Sequence, residues 1–146
     1  MRLSPIGLQI RLMGEDDYRD VYRLYRQMSG TSYSEVEFTR IFNKFLSSND
    51  REVYVAIVSK RTIGFVTLFY LDVFRYSGLI ASIQELFVTE EFRGRGVGKA
   101  LVEFVKEKVC EKQCHGLEVA PDLRQSGVKS FYEKCGLIDE SLVSAN

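Results

Sequence analysis

Apolar and polar residues alternate from Leu8 to Met13, and that two-residue period predicts a first strand, which Gly14 ends. Beyond it the period lengthens. Val21, Leu24, Tyr25 and Met28 fall on one stripe of a helix capped by Asp16 or Asp17. Ser34 and Glu37 have the spacing of a capping box. They open a second helix whose apolar face is Phe38, Ile41, Phe42, Phe45 and Leu46. Strand-like runs return at Val53–Val58, Ile63–Leu71 and Leu79–Val88, the first two joined by a turn at Ser59–Thr62. Leu101, Val105 and Val109, four apart, mark a third helix. Leu117–Val119 predicts a short strand, Pro121–Gly127 a loop, and Lys129–Cys135 a short helix closed by Gly136.

Strand, two helices, three strands, helix, strand, helix is an α/β order. Three strands with short links pair antiparallel, and the helix between two strands makes one parallel crossover. The expected fold is a mixed, mostly antiparallel sheet with helices on both faces. A length of 146 residues fits a single domain spanning 1–146.

Between the third predicted helix and the strand before it lies RGRGVGKAL, Arg93 to Leu101. Glycines at 94, 96 and 98 leave main-chain N–H groups open to close approach. A helix N-terminus follows, and Arg93, Arg95 and Lys99 add full positive charge, so the stretch is suited to an anion. Two common phosphate loops fail on the letters. The dinucleotide fingerprint G-x-G-x-x-G meets Lys99 where its third glycine belongs, and the P-loop G-x-x-x-x-G-K-[ST] meets Ala100 where its hydroxyl belongs. What stands is R-x-x-G-x-G. The competing reading is a glycine turn with solvated arginines.

Composition narrows the classes. Formal net charge is zero, which gives no general basic field for nucleic acid. No run approaches the ~18 apolar residues of a membrane helix, and the N-terminal residues do not form a secretory signal. Three cysteines and one histidine match no zinc spacing, and an odd cysteine count fits a reducing cytoplasm better than a disulfide scaffold. The expectation is a cytoplasmic protein with no metal.

Ile83 to Val105 resembles the acetyl-CoA-binding motif of the GCN5-related N-acetyltransferase (GNAT) family, in which a strand leads into [QR]-x-x-G-x-[GA]; Arg93, Gly96 and Gly98 match it. SFYEKCGL, Ser130 to Leu137, resembles that family's second conserved block. Element order matches from about Leu8 to Leu137. IQEL before the glycines and F-x-x-x-F-N at Phe38–Asn43 are similar to small-molecule acetyltransferases of the aminoalkylphosphonate type. Those relatives are rich in histidine around the third-strand loop and use a metal, whereas Phe69–Tyr76 here holds no histidine.

The resemblance implies a set of roles. The pyrophosphate of acetyl-CoA sits on Arg93, Gly94, Arg95, Gly96, Val97, Gly98 and Lys99. The pantetheine arm bonds the main chain of Phe87 and Val88 like an added strand, and Gln125 replaces a shorter amide that contacts it. Tyr132 matches the tyrosine that protonates the leaving thiolate. Glu85 is the candidate base, since it is a carboxylate among Ile83, Leu86, Phe87 and Val88, with Ser82 and Gln84 unable to serve. Alternation places Ile83, Glu85 and Phe87 on one face. Tyr33, Glu35, Asp72, Arg75 and Tyr76 lie where the family binds acceptors.

The expected activity is acetyl transfer from acetyl-CoA to a primary amine, of a small molecule because no charged patch would steer a protein tail. A protein lysine or N-terminal acetyltransferase and a non-catalytic CoA-binding sensor are the alternatives. The family also implies a possible homodimer, for which Phe69 and Phe74 are candidate surface aromatics.

Overall fold

A computed structural model describes residues 7–30, 34–120 and 129–137. Gln125, Tyr33, the Pro121–Gly127 loop and the last residues of the chain lie outside these. Strand β1 (Gln9–Leu12) leads through a 3-10 turn at Glu15–Asp17 into α1 (Tyr18–Ser29) and then α2 (Glu35–Ser47). Strands β2 (Arg51–Val58), β3 (Arg61–Val73) and β4 (Gly78–Val88) follow, then α3 (Val97–Glu111), β5 (Leu117–Val119) and α4 (Lys129–Lys134). The strands form one five-stranded sheet in chain order. β1 to β4 pair antiparallel, and β5 joins β4 in parallel after the α3 crossover.

Two apolar clusters sandwich the sheet. On one face Leu101, Val102, Val105 and Val109 of α3 pack on Val66, Leu68, Ala81 and Ile83. Each of these four α3 side chains is almost fully buried, a contribution of about 1.5–3 kcal/mol apiece. On the other face Val21 and Leu24 of α1 and Phe42 of α2 pack on Val53, Val55, Phe65 and Phe87.

Several local expectations change. Asp17 does not cap α1 with its side chain; it turns back to accept from the Gly14 N–H (2.7 Å) and from Arg11 (2.8 and 2.9 Å). Ser34 does cap α2, accepting from Val36 and Glu37 N–H, but Glu37 bonds Arg40 instead of closing the box. The β2–β3 turn tightens to Ser59 and Lys60, both in the left-handed region, so β3 already begins at Arg61. β3 also runs through Asp72, which was expected in a loop. On α2 only Phe38, Phe42 and Phe45 turn inward; Ile41 and Leu46 stay substantially exposed.

The change that matters most is in β4. Thr67 pairs with Glu85 but the next β3 residue, Leu68, pairs with Ile83, leaving Gln84 as an extra residue. This bulge breaks the alternation. Ile83 packs on the α3 face with Leu86 and Val88, while Glu85 and Phe87 turn to the α1–α2 face. Ile83, Glu85 and Phe87 therefore do not share a face.

Candidate active site

β5 is short, and its length sets the geometry. Pairing runs from Ala81–Leu117 to Ile83–Val119 and ends with the Ala120 N–H donating to the Ile83 carbonyl at 2.8 Å. β4 continues to Val88 without β5 beside it. The Thr89 N–H donates to the Ile63 carbonyl (2.8 Å), which fixes the phase of the β3–β4 ladder. Hydrogen-bonded pairs alternate, so Phe87 turns its main chain toward Phe65, and Leu86 and Val88 turn theirs to the open edge. The expectation of Phe87 at this edge is corrected: its N–H belongs to the sheet, and Leu86 takes its place.

The glycine stretch closes the mouth of this opening. Gly94 (φ 75°) and Gly96 (φ 85°) hold left-handed backbone, and Gly96 is the last residue before α3. The first helical bond of α3 is Ala100 N–H to the Gly96 carbonyl, 3.0 Å. The N–H groups of Val97, Gly98 and Lys99 therefore lie in the first turn, where the helix has no acceptor for them. The three residues line a cleft of about 650 Å³ together with Leu86, Val88 and Arg93 and with Phe131 and Lys134 of α4. A Cβ at Gly98 would stand 3.2 Å from the Phe131 ring, so helix and wall approach only because the side chain is missing. The Arg93 Nε donates to the Val88 carbonyl (2.9 Å), and its guanidinium lies over the Phe87 ring. Arg95 lies over Phe92, and Lys99 is exposed at the rim.

Tyr132 sits behind this wall, 4% exposed, in the cluster with Val97, Leu101 and Val102. Burial pushes its hydroxyl well above the ordinary tyrosine range, with the Cys135 thiol a smaller influence in the same direction. Its neighbour Phe131 lines the cleft itself, which the sequence reading missed.

On the opposite face Glu85 lines a second pocket, of about 370 Å³, roofed by α1 and α2. Thr67 accepts from the Glu85 N–H (2.9 Å) and donates to its Oε1. No lysine or arginine among the described residues forms an ion pair with Glu85. Thr67 was invisible in the sequence, because only the β3–β4 register brings it to Glu85. Glu35, Asp72, Arg75 and Tyr76, expected at the acceptor, do not converge on this pocket. Glu35 accepts from the Tyr18 hydroxyl (2.9 Å) at the start of α2, while Arg75 pairs with Glu118 (3.0 Å) beside the β3–β4 hairpin, where Asp72 and Tyr76 also lie. Phe74 is fully exposed at that tip, whereas Phe69 is half-buried against Phe45 and Arg51. Among the described residues no group of three His, Cys, Asp or Glu side chains is arranged to hold a metal ion. None of their helices is long and apolar enough to cross a membrane.

Comparison with known proteins agrees with this geometry. An uncharacterised N-acetyltransferase of Methanocaldococcus jannaschii is 28% identical over 134 residues, covering 88% of this chain and 58% of that one. The chain thus spans less than two thirds of that relative's length. Glucosamine 6-phosphate N-acetyltransferase of Arabidopsis thaliana is 26% identical over 133 residues, covering 87% of each chain. Its crystal structure matches with a TM-score of 0.77 over 95% of this chain and 97% of that one. An aminoglycoside N-acetyltransferase in complex with CoA, 20% identical, shares the fold, with a TM-score of 0.80 over 97% of this chain and 95% of that one. The acetyltransferase (GNAT) family model matches residues 18–137. The chain belongs to the acetyltransferase (GNAT) family, N-acetyltransferases that use acetyl-CoA.

Proposed function

We propose that the protein transfers an acetyl group from acetyl-CoA to the primary amine of a small molecule, by direct attack in a ternary complex. The observation that carries this reading is the parting of β4 from β5 beyond Ile83, with a cationic main-chain cradle on one face of β4 and a pocket bearing Glu85 on the other. The pyrophosphate would rest on the N–H groups of Val97, Gly98 and Lys99, with Arg93 and Arg95 at the rim. The pantetheine arm would lie along Leu86 and Val88 as an added strand.

The chemistry then divides among few groups. An alkylamine in water is an ammonium with a pKa near ~10, so it must lose a proton before it attacks. Glu85 takes that proton. The nitrogen lone pair forms a C–N bond to the thioester carbonyl, and the oxyanion is stabilised by the Val88 N–H. The C–S bond breaks as the carbonyl re-forms, the thiolate takes a proton from the Tyr132 hydroxyl, and the second N–H proton of the adduct, lost as the amide forms, restores that hydroxyl. Burial raises the Tyr132 pKa, so the hydroxyl stays protonated at neutral pH, the form an acid must have. A small acceptor is favoured by the size of the Glu85 pocket and by the glucosamine 6-phosphate and aminoglycoside acceptors of two relatives.

Release of CoA thiol from acetyl-CoA, measured against a panel of small amines and of lysine and N-terminal peptides, tests this. Turnover of small amines alone is expected. Preference for a peptide would make the protein a lysine or N-terminal acetyltransferase, and binding of acetyl-CoA without any turnover would make it a sensor.

A further inference from the structure

We propose that the Glu85 pocket selects acceptors that carry a single ammonium on an apolar, aliphatic or aromatic body, and that it discriminates against sugar amines and polycations. The inference deepens the transferase reading and rests on it for turnover, but not for binding. The pocket walls come from Val21, Met28, Phe38, Ile41, Phe45 and Phe65, on α1, α2 and β3. Among the described residues, four side chains with polar atoms line it, Tyr25, Glu37, Thr67 and Glu85. Glu37 is already engaged by Arg40 at 3.1 Å, and Thr67 is engaged by Glu85. What the pocket offers a ligand is chiefly the Glu85 carboxylate on a largely aromatic and aliphatic surface. An ammonium finds its counter-ion there, and its own carbon body finds a matching wall. The hydroxyls of a sugar would be left without partners on entering it.

A second observation argues against a polycation. Glu85, Ile41 and Phe45 also border an outer groove, lined by Lys44, by Arg40, which pairs with Glu37 (3.1 Å), and by Arg51, which pairs with Asp50 (3.2 Å). Arg51 lies over the Phe69 ring, which holds its guanidinium in place beside the groove. A polyamine or aminoglycoside with one nitrogen at Glu85 and another extending outward would meet these cations. Lys44 at that exit sets like charge against a second amine.

The test begins with binding and without acetyl-CoA. Titrations of 2-phenylethylamine and hexylamine are compared with glucosamine 6-phosphate, kanamycin and spermidine, on wild type, Ile41→Lys and Val36→Lys. Ile41 and Val36 are both exposed on α2 (43% and 76%), so each variant should fold, and thermal melting checks this. Phenylethylamine should bind wild type and Val36→Lys at least about tenfold more tightly than the sugars or spermidine, and Ile41→Lys should lose about tenfold. Tighter binding of a sugar amine or polyamine, or an Ile41→Lys affinity equal to wild type, overturns the proposal. Turnover with acetyl-CoA is then measured on the same panel. Apolar amines that bind but are not acetylated would uphold the pocket assignment and sink the transferase reading; acetylation confined to sugar amines would do the reverse.

Discussion

The two faces of β4 are built in different ways. The cofactor face is mostly main chain, with Leu86, Val88 and the first turn of α3 lying within one stretch of chain. The acceptor face is made of side chains from α1, α2, β2, β3 and β4 that meet only in the folded protein. A main-chain cradle binds a chemical feature shared by every CoA thioester and tolerates change in most side chains around it. A side-chain pocket can be rewritten residue by residue. One family can therefore keep its co-substrate while its acceptors diverge.

The sharpest way to break this comparison is Glu85→Gln. It should lower turnover of a good acceptor by about 100-fold, in the range typical of a lost general base, with acetyl-CoA affinity unchanged by calorimetry. An equal loss of acetyl-CoA affinity would show that the faces are not separate. Tyr132→Phe comes next. Turnover should fall more than about tenfold while affinities for both substrates stay near wild type, read from kcat and Kd; unaltered kcat would remove Tyr132 from the reaction. Thr67→Val should be milder, a loss of about threefold to tenfold in kcat/KM. Thr67 positions Glu85 and does not touch the reacting atoms, so Thr67→Ser should restore the rate.

The smallest expected effect concerns the frame of the acceptor side. Hydrogen bonds from Arg11 hold the Asp17 carboxyl below the usual carboxylate range, against burial that would raise it, and the Gly14 N–H lowers it further. A depressed folded-state pKa stabilises the protein above the unfolded value, and that stability is lost as pH falls through the folded one. Asp17→Asn should therefore cost about 2 kcal/mol at neutral pH. In melting curves the gap to wild type should shrink on acidification and leave acetyl-CoA binding intact. A gap independent of pH would mean that the carboxylate charge is not what stabilises this corner.

The same contrast explains what could be read from the letters. The element order, the sheet class and the glycine cradle follow from local periods and from neighbours in sequence, and the structure has all three. The bulge at Gln84 does not follow from local pattern. Nothing in IQEL distinguishes a strand that alternates through Glu85 from one that slips there, since the slip is fixed by pairing with Thr67 and Leu68 on β3. Phe87 was placed at the open edge for want of the same register. Ile41 was read as core from its place on the α2 stripe, yet it stands at a pocket rim, because a helical period reports one face and not what covers it. Glu85 was identifiable as an odd carboxylate in an apolar strand, but its companions Thr67 and the walls of the pocket required the fold.

The most direct test of the account is calorimetric titration of acetyl-CoA into three proteins: wild type, Gly96→Glu and Glu85→Gln. Gly96 is left-handed at the head of α3, and a glutamate there would strain the turn and set a negative charge against the pyrophosphate. The account predicts micromolar binding, about −8 kcal/mol, for wild type and for Glu85→Gln, and none for Gly96→Glu at an unchanged fold by circular dichroism. Equal binding by Gly96→Glu, or its loss in Glu85→Gln, would contradict the division of labour between the two faces of β4.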